Sequence, residues 1–265
     1  MLIPKRLTFL ICSFFAFQSI IGQSNTFNEI GIILGPVQFR SDYGERKNSK
    51  TNGGNSGFGI GVVHYFNFSY NRSRNDFTKY FINHFKIKNE ISYNKTNLEH
   101  LGKWVDASRT SDNANKLRAH KGVAENLDFG SQLEFYPLSI RDFQVYSPRI
   151  APYIGLGIHY TIFSPKVSTN YANPDPSATG NVLDSSNFYS GWESGSVDAS
   201  PGNTFSMVSN VGMRYKLNRY SDLILDLRFQ YYFNDWVDGL NHQLESNKNN
   251  DWLLWLNVGY IYYFD

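Results

Sequence analysis

DLILDLRFQYYF, residues 222–233, alternates between apolar and polar residues along most of its length. Leu223, Leu225, Leu227, Phe229, Tyr231 and Phe233 fall on one face, and Asp222, Asp226, Arg228 and Gln230 on the other. A repeat of two marks an extended strand, whose successive side chains point to opposite sides. One face suits lipid or an apolar core. The other carries charges that a dry interior accepts only when they are paired.

The same alternation recurs along the chain. Strands are expected at 27–39, 57–68, 81–93, 126–136, 149–162, 204–217, 222–233 and 251–264. In the sixth, Met207, Val211, Met213 and Tyr215 oppose Asn210, Gly212, Arg214 and Lys216. In the fourth, Leu127, Phe129, Leu133 and Phe135 oppose Asp128, Gly130, Gln132 and Glu134. The first is less regular, because Ile32 and Ile33 fall on both faces. A tilted strand of about 9–11 residues crosses the hydrocarbon layer, and an open sheet edge in lipid would leave peptide groups unpaired. The expectation is an all-β fold: an eight-stranded antiparallel transmembrane outer-membrane β-barrel. The alternative is a soluble sandwich or lipocalin-like barrel with the apolar face inward and the charges outward. Alternation alone does not choose between them.

Several features favour the membrane. Lys5 and Arg6 precede an apolar run from Leu7 to Phe17, followed by small and polar residues. That is the layout of a secretory leader, expected at 1–22 with cleavage near Gly22–Gln23, leaving a barrel domain at 23–265. The chain has 25 Lys and Arg against 23 Asp and Glu, so loss of Lys5 and Arg6 balances it at 23 each. No field for nucleic acid is built. Aromatic residues make up 17% and charged residues only 18%, which suits lipid-facing strands better than a soluble enzyme. The single cysteine, Cys12, sits in the leader, which excludes disulfide and thiol chemistry downstream.

With eight strands both termini lie on one side, expected to be the periplasm. Connections 40–56, 94–125, 163–203 and 234–250 then face outward, and the shorter 69–80, 137–148 and 218–221 face inward. The 69–80 turn is long for its side, so it is either partly structured or the third strand begins earlier. Aromatic residues near strand ends, including Phe66, Tyr136, Tyr146, Tyr232, Tyr263 and Phe264, suit the headgroup level. The surroundings implied are outer-membrane lipid and lipopolysaccharide.

The inward faces gather Glu29, Glu90, Asp128, Glu134, Asp222 and Asp226 against Lys86, Lys88, Arg214, Lys216 and Arg228. Such near balance suggests a cross-linked plug rather than an ion-selective pore, since eight strands leave just enough room for side chains. Gly57, Gly59, Gly61, Gly155, Gly157 and Gly212 would make space there for Tyr65, Tyr153 and Trp255.

Chemistry is sparsely encoded. The histidines, His64, His84, His100, His120, His159 and His242, show no metal-ligand spacing, and no nucleophile elbow, phosphate loop or dinucleotide fingerprint occurs. No cofactor is expected. His159 falls on an inward face, with Ser206 on the next strand. A catalytic serine needs a base in hydrogen-bond reach and a third, orienting group. A lumenal histidine in a polar network is the stronger reading. The loop 163–203 either binds a partner through Tyr189, Trp192 and Glu193 or folds onto the barrel rim.

The segments FNEIGIILGPVQFRSDYG (27–44), LDFGSQLEFYPL (127–138), PYIGLGIHY (152–160) and VGMRYKLNRYSDLILDLRFQYYFNDWVDGL (211–240) resemble the PorG-like outer-membrane proteins of Bacteroidetes. NEIGIILG (28–35) and FNDWVDGL (233–240) are the strongest pieces, and the resemblance is nearer to a flavobacterial branch than to PorG itself. It implies an eight-stranded outer-membrane barrel without catalytic residues. It also implies an accessory part of a type IX secretion or gliding apparatus, tied to periplasmic ring proteins through the inner turns. Arg72 and Phe143 are the candidate docking residues there.

Overall fold

The computed structural model describes residues 28–68, 75–145, 148–171 and 187–264. The expected leader, Arg72 and Tyr146 lie outside these residues. Eight long strands form the wall: β1 (Asn28–Arg40), β2 (Ser56–Asn67), β3 (Phe85–Glu99), β4 (His120–Phe135), β5 (Ile150–Phe163), β7 (Gly202–Asn218), β8 (Ser221–Tyr232) and β9 (Trp252–Phe264). A short β6 (Lys166–Thr169) extends the sheet at the start of β4. All pairings are antiparallel. Closure comes from β1 against β9, with Ile30 opposite Tyr262 and Ile32 opposite Tyr260. A closed ladder leaves no sheet edge, as lipid requires.

The barrel is apolar outside and polar inside. Ile32, Leu156, Ile158 and Val211 point outward at 53–60% exposure. Glu29, Lys88, Asp128, Arg214 and Arg228 point inward and are fully buried. That polarity rejects the lipocalin-like alternative, whose charges would face water. Tyr65, Tyr153 and Trp255 are buried in the lumen, and a side chain at Gly59 would collide with Trp255. Gly59 therefore marks where a small residue admits a large neighbour. Ile33 faces inward and Ile32 outward, which resolves the irregular first strand.

Three expectations need correction. Residues 81–84 are helical rather than extended. They end a helix, Asp76–His84, whose N-cap Asn75 accepts the backbone N–H of Phe77 at 3.0 Å. Strands β3 and β4 continue past the expected turn at 94–125, so only 100–119 connects them. Outside the apolar belt this extension carries charge: Lys95 and Lys166 pair with Glu125 at 3.1 and 2.8 Å, and Lys121 with Glu99 at 2.8 Å. Lastly, Tyr136, Tyr232 and Tyr263 turn inward instead of joining an aromatic girdle. Tyr136 donates to Glu134 at 2.7 Å, and Tyr263 donates to Asp222.

Both described chain ends share one end of the barrel with the shorter connections. The helices α2 (Asp76–His84) and α4 (Ile140–Gln144) sit there. The other end carries α1 (Ser49–Asn52), α3 (Asp112–Ala119) and the longer loops.

Candidate functional site

Two polar assemblies fill the molecule, one in the lumen and one in the long-loop end. In the lumen, the lower cluster centres on Glu29, which accepts from Lys86 and Arg214 at 2.6 Å each. Arg214 also reaches Asp222 at 3.0 Å, and Asp222 meets Lys216 at 3.3 Å. The middle cluster joins Lys88 to Glu90 at 3.3 Å and to Asp226 at 3.9 Å, with Arg228 also on Glu90. Tyr153 and Asn257 donate to Asp226 at 2.9 and 2.8 Å. Asp128 forms no direct ion pair among the described residues and is held by Thr161 at 2.5 Å and Gln230 at 2.8 Å. The rings of Tyr65 and Trp255 lie 4.8 and 4.7 Å from the Arg214 and Arg228 guanidinium carbons. Charges drawn from different strands are thus brought into hydrogen-bond reach across the lumen.

His159 and Ser206 are register partners on β5 and β7, but their side chains are engaged elsewhere. His159 Nε2 meets Gln132 at 3.1 Å, while Ser206 Oγ accepts from Gln230 at 2.9 Å and lies 3.2 Å from Thr161 Oγ1. No nucleophile–base pair forms between them. Phe143 is buried beneath Lys216, whose Nζ lies 5.3 Å from its ring. It closes the short-turn end from within and is not presented on the surface of its turn. Neighbouring Val145 is 71% exposed.

The second assembly was not singled out from the sequence. Arg46 Nη2 contacts Asp42, Asp235 at 3.1 Å and Asp251 at 3.1 Å. Asp238 adds a fourth carboxylate, itself fully buried, accepting from the Asp42 backbone N–H at 2.8 Å. Oxygens of Asp42, Asp235 and Asp251 lie within 4.8 Å of one another, a spacing suited to a cation. The Arg46 guanidinium occupies that position, so the set is already served. One cation among four carboxylates still leaves an acid excess. Burial, helped by Asp238, pushes Asp42 up to about 9. Burial likewise raises Asp238 to about 7 and Asp235 to about 6.

Above this cluster lies an imidazole–indole stack. The Gly44 N–H donates to His100 Nδ1 at 3.1 Å, so His100 carries its proton on Nε2, 3.3 Å from His120 Nδ1. Trp192 stacks on His242 at 5.5 Å with planes 10° apart and packs edge-on to His120 at 5.1 Å. Burial lowers the pKa of His100 and takes that of His242 down to about 4, so both rings are neutral at physiological pH. The loop around Trp192 thereby folds onto the rim. A cavity of about 320 Å³ opens beside the stack, walled by Trp104, Tyr189 and Trp192 and edged by Asp42, Glu45 and Glu245. Glu45 is fixed by the Trp104 indole N–H at 2.7 Å and by Lys103 at 2.9 Å. Of the loop contacts expected from the sequence, Tyr189 and Trp192 line this cavity, whereas Glu193 stays exposed.

No protein-family profile and no curated protein matches the chain. Among solved structures it is similar to Neisserial surface protein A, at 10% identity and a TM-score of 0.45 over 89% of this chain and 97% of the other. It is also similar to a major outer membrane protein of Thermus thermophilus, at 15% identity and a TM-score of 0.46 over 89% and 99%. A third is OprG of Pseudomonas aeruginosa, at 12% identity and a TM-score of 0.41 over 90% and 96%. The fold assignment rests on the strand pairing itself.

Proposed function

We propose that this chain is a non-enzymatic outer-membrane barrel that works by binding at its outer cap. The cavity framed by Trp104, Tyr189 and Trp192 carries the reading, because it is concave and lined by aromatic rings with a few polar groups. In the lumen, ion pairs and rings meet across the barrel. That argues against solute passage. The apolar belt supports residence in lipid and, with the leader expected from the sequence, in the outer membrane. Longer loops would then be extracellular and both termini periplasmic. The test is a Ser246→Cys chain labelled on intact cells with a membrane-impermeant maleimide. Ser246 lines the cavity and is exposed. Labelling supports an external cap, and protection until lysis sinks it.

A second reading is anchoring within a type IX secretion or gliding apparatus, through periplasmic ring proteins. It is supported by exposed side chains at the short-turn end, Phe77 at 74% and Val145 at 71%. Photocrosslinkers at these two positions should capture ring components from native membranes. An uncrosslinked barrel in cells with an assembled apparatus would remove that role.

A further inference from the structure

We infer that the outer-cap cavity is a site for an organic cation with a planar or apolar body, such as an arylalkyl amine. This rests on the surface-binding reading above and names its ligand class.

Three observations point the same way. First, the lining holds the carboxylates of Asp42, Glu45 and Glu245 and no Lys or Arg. Asp42 is paired with Arg46 and Glu45 with Lys103, which leaves Glu245 as the lining carboxylate without an ion pair among the described residues. Second, three aromatic residues, Trp104, Tyr189 and Trp192, line the walls. A cation over an aromatic face is attracted by its quadrupole, more strongly when water is excluded. Third, this cap already uses that contact on the same residue: Lys103 Nζ and the Arg109 guanidinium lie 4.7 and 5.3 Å from the Trp104 ring.

The parts have separate duties. Trp192 is half-buried and pinned against His242, so it offers a rigid wall at little entropic cost. Glu245 is exposed at the rim and takes no part in the ion pairs of the Arg46 cluster. It is free to meet an incoming ammonium. Glu45 is shared with Lys103 and Trp104 and contributes less. A bare metal ion fits poorly here, because the closest-set carboxylates, Asp42, Asp235 and Asp251, converge on Arg46.

The experiment is calorimetry of the full chain in lipid nanodiscs with three probes of one shape: 2-phenylethylamine, 2-phenylethanol and phenylacetate. The amine should bind about tenfold tighter than the alcohol, and the carboxylate weaker still. Glu245→Gln should weaken the amine several-fold and leave the alcohol unchanged. Trp192→Leu should weaken both. Glu193→Gln, an exposed charge removed from the cavity lining, should change neither. Equal affinity for the three probes, no amine binding at millimolar concentration, or an unchanged amine affinity in Glu245→Gln would each overturn the assignment. Labelling at position 246 is read independently, so a wrong ligand class is distinguishable from a wrong cap orientation.

Discussion

Arg46 holds the densest buried charge outside the barrel wall. Replacing it by Gln would leave Asp42, Asp235, Asp238 and Asp251 without their cation. Removing one partner of a buried pair typically costs about 3–5 kcal/mol. The cap should therefore loosen while the barrel persists, seen as faster hydrogen exchange at 41–55 and 233–251 with an unchanged heat-induced gel shift. The intact cap should itself respond to pH. Its carboxyls lie above the ordinary range, at about 6 for Asp235, 7 for Asp238 and 9 for Asp42. Groups raised on folding stabilise the cap when protonated, and that contribution is lost as pH rises through the folded values. Protection of these loops, taken as exchange relative to the base-catalysed intrinsic rate at each pH, should be greater at pH 5 than at pH 9, and the reverse ordering would refute the acid excess. None of this was legible in the sequence, because Arg46 meets Asp235 and Asp251 across 189 and 205 residues. The segments carrying the resemblance contain Asp42 (27–44) and Asp235 and Asp238 (233–240), but nothing in them shows that these side chains meet. Lumenal charges such as Glu29, Lys86 and Arg214 were legible, because their face follows from their parity along a strand.

Strands and helix differ in how plainly they announce themselves. Leu156 sits outward in β5 at 59% exposure, amid Ile154 and Ile158. Leu156→Arg should cost about 2–4 kcal/mol in urea-driven folding into vesicles, the penalty for a charge near the bilayer midplane. Lys121→Leu, at the charged end of β4, should cost close to nothing. Similar losses at both sites would mean that the belt is misplaced. The alternation of β7 and β8 made them readable. The segment 76–84 was misread at its end because two periods compete there. Phe81 and Phe85 suit a strand, yet Phe77, Tyr80, Phe81 and His84 also recur at helical spacing. The helix prevails: Tyr80 stacks on His84 at 4.2 Å and Phe81 on Phe85 at 4.7 Å.

Across the whole molecule, the filled lumen dictates electrical behaviour. Reconstituted in a planar bilayer, the chain should show no steady single-channel conductance, and a reproducible open level would contradict the packing. Glu29→Gln removes the counter-charge shared by Lys86 and Arg214. It should lower barrel stability by about 3–5 kcal/mol, measured as an earlier loss of the compact band on heating in detergent.

At the long-loop end the β3–β4 ladder continues to Glu99 opposite Lys121, past the last β2–β3 pair at Gly57–Thr96 and the last β4–β5 pair at Asn126–Phe163. The wall is therefore taller on one flank, and the tall flank is palisaded with Lys95, Lys121 and Lys166 beside Glu99 and Glu125. Such a molecule has a front and a back in the plane of the membrane. Neighbours approaching from the tall side meet a charged parapet beyond the apolar belt. A barrel of even height would present the same rim in every direction, whereas this one presents its charged parapet in one.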